Sequence, residues 1–251
     1  MKFSDLDLHP DLMKGIEHAG FTDLMQVQEE TYVHAFRGLD VAVQSQTGTG
    51  KTAAFVVSIF QRFLTCDVKN RRALIIAPTR ELAVQIWEEA RLIGKYLPFR
   101  ISVFYGGVGY DKQESDLRRG VDIIIGTPGR IIDFNQSGKM SFQDVGVFVI
   151  DEADRLFDMG FLPDIKKILR KMPSYPDRQT MLFSATLDER VKRIARDYMH
   201  EPVEVEITSE HVTVEKISQV IYHVGKHEKV NLLVGLMRRD NPKNAIIFTN
   251  M

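Results

Sequence analysis

The sequence predicts an α/β fold built on a mostly parallel β-sheet with helices on both faces. Two observations carry that expectation. Short apolar, β-branched runs recur at 41–45, 73–77, 101–105, 121–125, 145–150, 180–183 and 203–207. Most of them lack strict alternation, as strands buried on both faces do. Between them lie segments whose apolar residues return every three to four positions, so strands alternate with helices in the manner of βαβ units.

Taken in order, the run at 41–45 passes directly into the glycine-rich SQTGTGKT, residues 45–52, and a helical pattern follows. After 73–77, Leu82, Ile86, Ala90, Ile93 and Leu97 form one helical stripe, with Thr79 as its N-cap. Beyond Asp154, Ile165, Ile168 and Leu169 make an apolar face, and Lys166, Lys167 and Arg170 a charged one. After 203–207 comes the polar TSEHVTVEK, residues 208–216, read as an interdomain linker. A strand-like IYHV (221–224), a helix-like HEKVNLLVGLMRR (227–239) and a strand-like NAIIFTN (244–250) complete the chain. The expected organisation is a first domain over residues 1–208, then a linker with the truncated start of a second domain over residues 209–251.

Composition sets outer bounds. The 251 residues are 44% hydrophobic and 27% charged, the profile of a soluble globular chain large enough to bury its own core. A single cysteine, Cys66, excludes an intrachain disulfide and a cysteine-rich zinc site; it reads as a small buried residue in a reducing cytoplasm. No secretory signal is recognised at the N-terminus, and no apolar run approaches the roughly 20 residues that span a bilayer. A cytoplasmic location without membrane association is therefore expected. The net charge of −1 means that any grip on nucleic acid must be local.

The chemistry concentrates at strand ends. In Ser45, Gln46, Thr47, Gly48, Thr49, Gly50, Lys51 and Thr52, a glycine-rich turn between strand and helix aims backbone N–H groups at a phosphate. Lys51 would reach the β- and γ-phosphates, and the Thr52 hydroxyl would hold Mg²⁺. The general pattern begins with Gly where this chain has Ser45. The acidic run Asp151-Glu152-Ala153-Asp154 follows the strand at 145–150, where open α/β sheets bind ligands. Asp151 suits the metal, and Glu152 the orientation or deprotonation of an attacking water. The same acids would also suit an ordinary helix N-terminus.

These elements occur together with Pro78-Thr79-Arg80-Glu81-Leu82, Gly106-Gly107, Thr127-Pro128-Gly129-Arg130 and Ser184-Ala185-Thr186. In order and approximate spacing, the set resembles the first RecA-like domain of DEAD-box ATP-dependent RNA helicases, over essentially residues 1–208. Ala245–Asn250 resembles the opening motif of the second such domain. The stretches 105–113 and 159–161 are similar to bacterial members of the RhlB type. The resemblance implies ATP as substrate, Mg²⁺ as its metal, and RNA-stimulated hydrolysis coupled to local duplex opening. It places Phe21 against the adenine ring and Gln28 on its edge, where an amide offers both donor and acceptor; Phe21 is also a residue type that cores bury. The family has prolines where Leu24 and Gln26 stand. The resemblance puts Pro78, Thr79, Arg80, Gly106, Gly107, Thr127, Pro128, Gly129 and Arg130 on the RNA. Thr127-Pro128 reads independently as an N-cap followed by a first-turn proline, which presents free N–H groups to a phosphate. Such contacts carry no base sequence. Ser184 and Thr186 take the role of coupling the nucleotide state to the RNA-opening conformation. Lys51, Asp151, Glu152, Ser184 and Thr186 are thus the expected catalytic set, with RNA-degradation or ribosome-assembly proteins as partners.

Two other readings share these residues. One is a superfamily 2 ATPase acting on DNA; the other is a P-loop scaffold that binds RNA without hydrolysis. Because a second domain is expected to supply the arginines that stabilise the transferring phosphoryl group, this chain is expected to be weakly active or inactive in ATP hydrolysis and inactive in unwinding alone.

Overall fold

The computed structural model describes residues 1–46, 48–66, 72–207, 220–225 and 227–249. A 3-10 turn at Phe3–Asp5 is followed by α1 (Pro10–His18) and α2 (Gln26–Ala35). Then β1 (Val41–Gln44) leads into α3 (Lys51–Thr65), and β2 (Arg72–Ile76) into α4 (Arg80–Ile93). Next, β3 (Ile101–Phe104) leads into α5 (Asp111–Arg119), and β4 (Ile123–Gly126) into α6 (Pro128–Gln136). β5 (Val145–Ile150) is followed by α7 (Ala153–Asp158) and α8 (Leu162–Leu169), and β6 (Gln179–Ser184) by α9 (Glu189–Tyr198). β7 (Val203–Glu206) comes last in the sheet.

All seven strands join one sheet in the order β3-β4-β2-β5-β6-β1-β7, with every pairing parallel. The alternation of Cβ directions along each strand divides the core into two layers. Ala73 and Ile75 of β2 pack with Phe55, Ile59 and Ile86 from α3 and α4. Leu74 and Ile76, pointing the other way, pack with Ile131, Leu156, Ile165 and Ile194 from α6 to α9. Both faces are therefore covered, which is why the strands read as continuous apolar runs. β4 begins two residues later than its run, because the Asp122 N–H donates to Arg100 O (2.9 Å) and its carboxylate accepts from Arg100 N (2.8 Å). Cys66 is half-buried at the C-cap of α3, outside the core clusters.

Close approach of α1 to α4 depends on Gly15, where a Cβ would lie 1.8 Å from Ile93 O. Alanine at an ordinary helical site would gain about 1 kcal/mol over glycine. Here the backbone carbonyl cannot yield without separating the helices, so Gly15→Ala is expected to lose about 1–3 kcal/mol. Thermal denaturation checks this: a melting temperature at or above wild type would show that the two helices part freely.

The chain divides into two units, Met1–Thr208 and Ser209–Met251. In the second, α10 (Lys229–Asp240) forms as its sequence pattern predicts, with no buried residue. The expected strands at 221–224 and 244–249 do not form among its described residues. A strand exists only through a partner's hydrogen bonds, and neither segment has one there. The expected linker at 208–216 and residue 250 lie outside the described residues.

Candidate active site

The site begins where β1 ends. Gly48 and Gly50 have φ of 81° and 85°, values that glycine adopts without strain, and they turn the chain into α3 with Gly50 as N-cap. Lys51 and Thr52 thus become the first two residues of the helix, at its positive end. Lys51 is buried, and its Nζ donates to Ser45 O at 3.0 Å, folding the ammonium back over the loop. Ser45 earns its place where the general pattern has glycine. Its N–H donates to Ser184 O at 2.9 Å, and its hydroxyl lies 3.1 Å from Thr49 Oγ1. Thr49 Oγ1 donates its one proton to Gln46 O at 2.8 Å. Thr47 lies outside the described residues.

Asp151 is 2% exposed at the end of β5. Burial is the main cause that lifts its pKa from 3.8 to about 6, opposed by the Lys51 charge and reinforced by Glu152. Its Oδ1 accepts from Glu152 N at 2.9 Å. Glu152 adopts a left-handed conformation, φ 48° and ψ 54°, as N-cap of α7. For a residue with a Cβ this is a sparsely populated region, of the kind that collects at functional sites. Its carboxylate pairs with Arg155 Nη1 at 3.1 Å. β6 separates β5 from β1 and joins the two motifs. Ser184, fully buried at its end, gives its carbonyl to Ser45 N and its hydroxyl, as acceptor, to Asp154 N at 3.2 Å. Thr186 lies just beyond, exposed.

The upstream element reaches the same loop. Gln28 is 1% exposed; its Nε2 donates to Gly50 O at 3.2 Å and its Oε1 accepts from Met25 N at 2.9 Å. In this conformation its carboxamide ties α2 to the phosphate loop. Gln26 occupies the first position of α2, where proline is favoured but not required. The Leu24 N–H donates to Met1 O at 2.9 Å, a bond proline could not make, so the departures from the family pattern are locally compensated. Phe21 packs at 6.1 Å from Phe3 and lines a cavity of about 440 Å³ with Thr52, Leu82, Gln85 and Glu89. Sequence reading missed Glu89. Burial and the nearby Asp151 charge raise its pKa from 4.5 to about 7, yet in the sequence it is one acid in a charged helical run.

The loops expected to meet RNA lie at neighbouring strand ends. Thr79 caps α4 as predicted, its Oγ1 accepting from Leu82 N at 3.2 Å. Pro78 is buried and Arg80 exposed, with its guanidinium 4.6 Å from the Tyr105 ring centroid. Cβ atoms built on Gly106, Gly107 or Gly129 would meet nothing within 4 Å, so their backbones are open to an approaching ligand. Thr127 and Pro128 start α6, and the Thr127 hydroxyl makes no capping bond, leaving the first-turn N–H groups available. Arg130 differs from the expectation of a charge reaching out to phosphate. It is 5% exposed, donates from Nη2 to Val108 O at 2.9 Å, and lies 4.0 Å from the Tyr110 ring centroid. Trp87 is a packing residue that also donates from Nε1 to Ile101 O at 3.1 Å, covering an edge-strand carbonyl.

A parallel sheet with a glycine-rich loop and Lys-Thr opening one helix, and a buried acid two strands away, defines a RecA-like P-loop domain. The chain belongs to the DEAD/DEAH box helicase family, whose match spans residues 25–194. It is 47% identical over 255 aligned residues to the ATP-dependent RNA helicase RhlB of Xanthomonas axonopodis pv. citri (strain 306), covering 99% of this chain and 45% of that protein. It is 44% identical to RhlB of Shewanella sp. (strain ANA-3), covering 99% and 58%. The chain spans about half the length of these curated relatives. Among solved structures, it resembles the hypothetical ATP-dependent RNA helicase from Sulfolobus tokodaii, with a TM-score of 0.73 and 33% identity over 80% of this chain and 57% of that one.

Proposed function

We propose that this chain is the ATP-binding part of an ATP-dependent RNA helicase that couples RNA-stimulated hydrolysis to local duplex opening. The observation that carries the reading is the junction at Ser184, which links the phosphate loop through Ser45 N and the acidic motif through Asp154 N. One residue thus touches both the phosphate loop and the motif whose residues would handle metal and water. Lys51 and the first turn of α3 would hold the phosphates, with Phe21 and the cavity beside Thr52 on the base side. The donor set fits Mg²⁺: the Thr52 hydroxyl and the Asp151 carboxylate are hard oxygen donors, and Mg²⁺ takes few protein ligands when phosphates and water supply the rest. Bound there, the metal would neutralise charge developing on the phosphoryl oxygens.

Glu152 is the base or water-positioning group. Its pairing with Arg155 holds its carboxylate in place. The backbone-open loops at 106–107 and 127–129 would take RNA phosphates, with Arg80 adding charge. Selectivity for RNA belongs to the same reading, supported by the relatives' names as ATP-dependent RNA helicases; action in the cytoplasm and docking to RNA-degradation proteins are further parts of the proposal.

The test is nucleotide binding and steady-state ATPase, with and without single-stranded RNA or DNA, beside Glu152→Gln. Mg²⁺-dependent ADP binding is expected in both proteins. Any RNA-stimulated turnover that the wild-type chain shows is expected to fall about 10²- to 10⁴-fold in the variant, the contribution of a positioned base. Turnover indifferent to Glu152→Gln would overturn the assignment, and equal stimulation by DNA would favour the DNA-acting reading. Among the described residues no helix is long and apolar enough to cross a membrane.

A further inference from the structure

The loop between β3 and α5 carries two tyrosines to which the sequence motifs assign no role, and each has an arginine stacked against it. Arg80 lies 4.6 Å from the Tyr105 centroid and Arg130 4.0 Å from that of Tyr110. Tyr110 is the more consequential of the two because it remains 44% exposed while being held on several sides. The Arg130 guanidinium covers one face. Phe134 meets the ring edge-on at 5.5 Å and 80°, and the hydroxyl donates to Asp133 Oδ2 at 3.4 Å. Arg130 Nε and Nη1 are buried without any hydrogen-bond partner beneath the ring. Tyr110 also lines a surface depression of about 550 Å³, together with Glu114, Asp133, Gln136, Ser137 and Lys139.

We propose that Tyr110 is a stacking platform for one unpaired nucleobase of the RNA strand, beside the loops that hold its backbone. The inference rests on the RNA reading above and deepens it. With Arg130 against the ring and 44% of the residue exposed, Tyr110 offers a supported aromatic surface of the kind a stacking platform needs. The base would extend a planar stack already built from guanidinium and phenol. Since the ring is held in advance, little side-chain freedom remains to be lost on binding. The rim argues for a base over a phosphate. Asp133 and Glu114 would repel a phosphate, but carboxylates accept hydrogen bonds from the amino groups of base edges. Glu114 is partly neutralised by Lys139 and by Arg118 at 3.7 Å, which leaves Asp133 as the principal acceptor.

The experiment measures affinity of this chain for a fluorescent single-stranded RNA across a salt series, for wild type, Tyr110→Phe, Tyr110→Ala and Arg80→Ala. Tyr110→Ala is expected to bind about 5- to 150-fold more weakly, the range for loss of one base–aromatic stack. Its dependence on salt should match wild type, because no phosphate contact is removed. Tyr110→Phe keeps the ring and should retain most of the affinity. Arg80→Ala should weaken binding with a salt slope shallower by about 1, the mark of a lost phosphate contact. If wild type binds and Tyr110→Ala binds equally well, or more tightly with a steeper slope because Arg130 is uncovered, the platform is wrong and the RNA reading survives. Wild type without measurable affinity for RNA would overturn both.

Discussion

Asp151→Asn is expected to make the protein more stable at pH 8 while lowering Mg²⁺-dependent ATP turnover by at least about 10³-fold, since a metal is worth several kcal/mol to such a reaction. The opposite signs share one cause. Asp151 is buried, and its carboxylate has lost water that Lys51 only partly replaces, so its pKa stands near 6 against an ordinary 3.8. Between about pH 4 and pH 6 the folded state therefore binds more protons than the unfolded one, and stability falls as pH rises through that window. Above it the full penalty applies, on the order of 1–3 kcal/mol. Asparagine has the same shape, can still accept from Glu152 N, and carries no charge to desolvate. It also loses the anionic oxygen that a metal needs. Melts of both proteins at pH 4.5 and pH 8 check the first half: the advantage of the variant should be several degrees at pH 8 and shrink towards pH 4.5. A variant melting below wild type at pH 8 would mean that the Lys51 attraction outweighs desolvation. Calorimetry of ADP with and without Mg²⁺ checks the second half.

Lys51→Met should weaken Mg-ADP binding by about 30- to 4,000-fold, equivalent to about 2–5 kcal/mol, the cost of removing one partner from a buried, hydrogen-bonded charge pair. Its ammonium holds the Ser45 carbonyl and supports the Asp151 anion. Methionine fills much of the same space but leaves Ser45 O without its donor and Asp151 without its nearest compensating charge. The Asp151 carboxyl should then hold its proton to a pH above 6. Combining the two substitutions separates the effects. Lys51→Met with Asp151→Asn should recover stability relative to Lys51→Met alone, because no buried anion remains, yet recover no nucleotide affinity. If Asp151→Asn changes stability by the same amount in the Lys51→Met background as in wild type, the two groups are not electrostatically coupled in the folded protein.

Much of this protein was legible from residue order because the signals involved are local. Each strand of the parallel sheet announces itself as a short run buried on both sides, and all seven runs form strands within two residues of the expected bounds. SQTGTGKT specifies a turn and a helix start within eight consecutive residues, and the first turn of α6 is likewise encoded by Thr127-Pro128. At residues 221–224 and 244–249 the same kind of pattern failed, since an apolar run becomes a strand only when another strand supplies its hydrogen bonds.

The remaining relationships join residues far apart in sequence, so local pattern could not contain them. Strand order sets β6 between β1 and β5, which makes Ser184 a junction between phosphate loop and acidic motif. Packing of α4 brings Glu89 close enough to Asp151 to raise its pKa, and packing of α2 gives Gln28 to Gly50. At Arg130 sequence and structure part most clearly. The motif marks a cation ready for phosphate, whereas the fold buries that cation beneath Tyr110, where an aromatic face takes the place of a counter-ion. Sequence determined which residues could do chemistry and which backbone turns would present them. Burial and long-range pairing, which arise only when the layers close, determined their charge states and their partners.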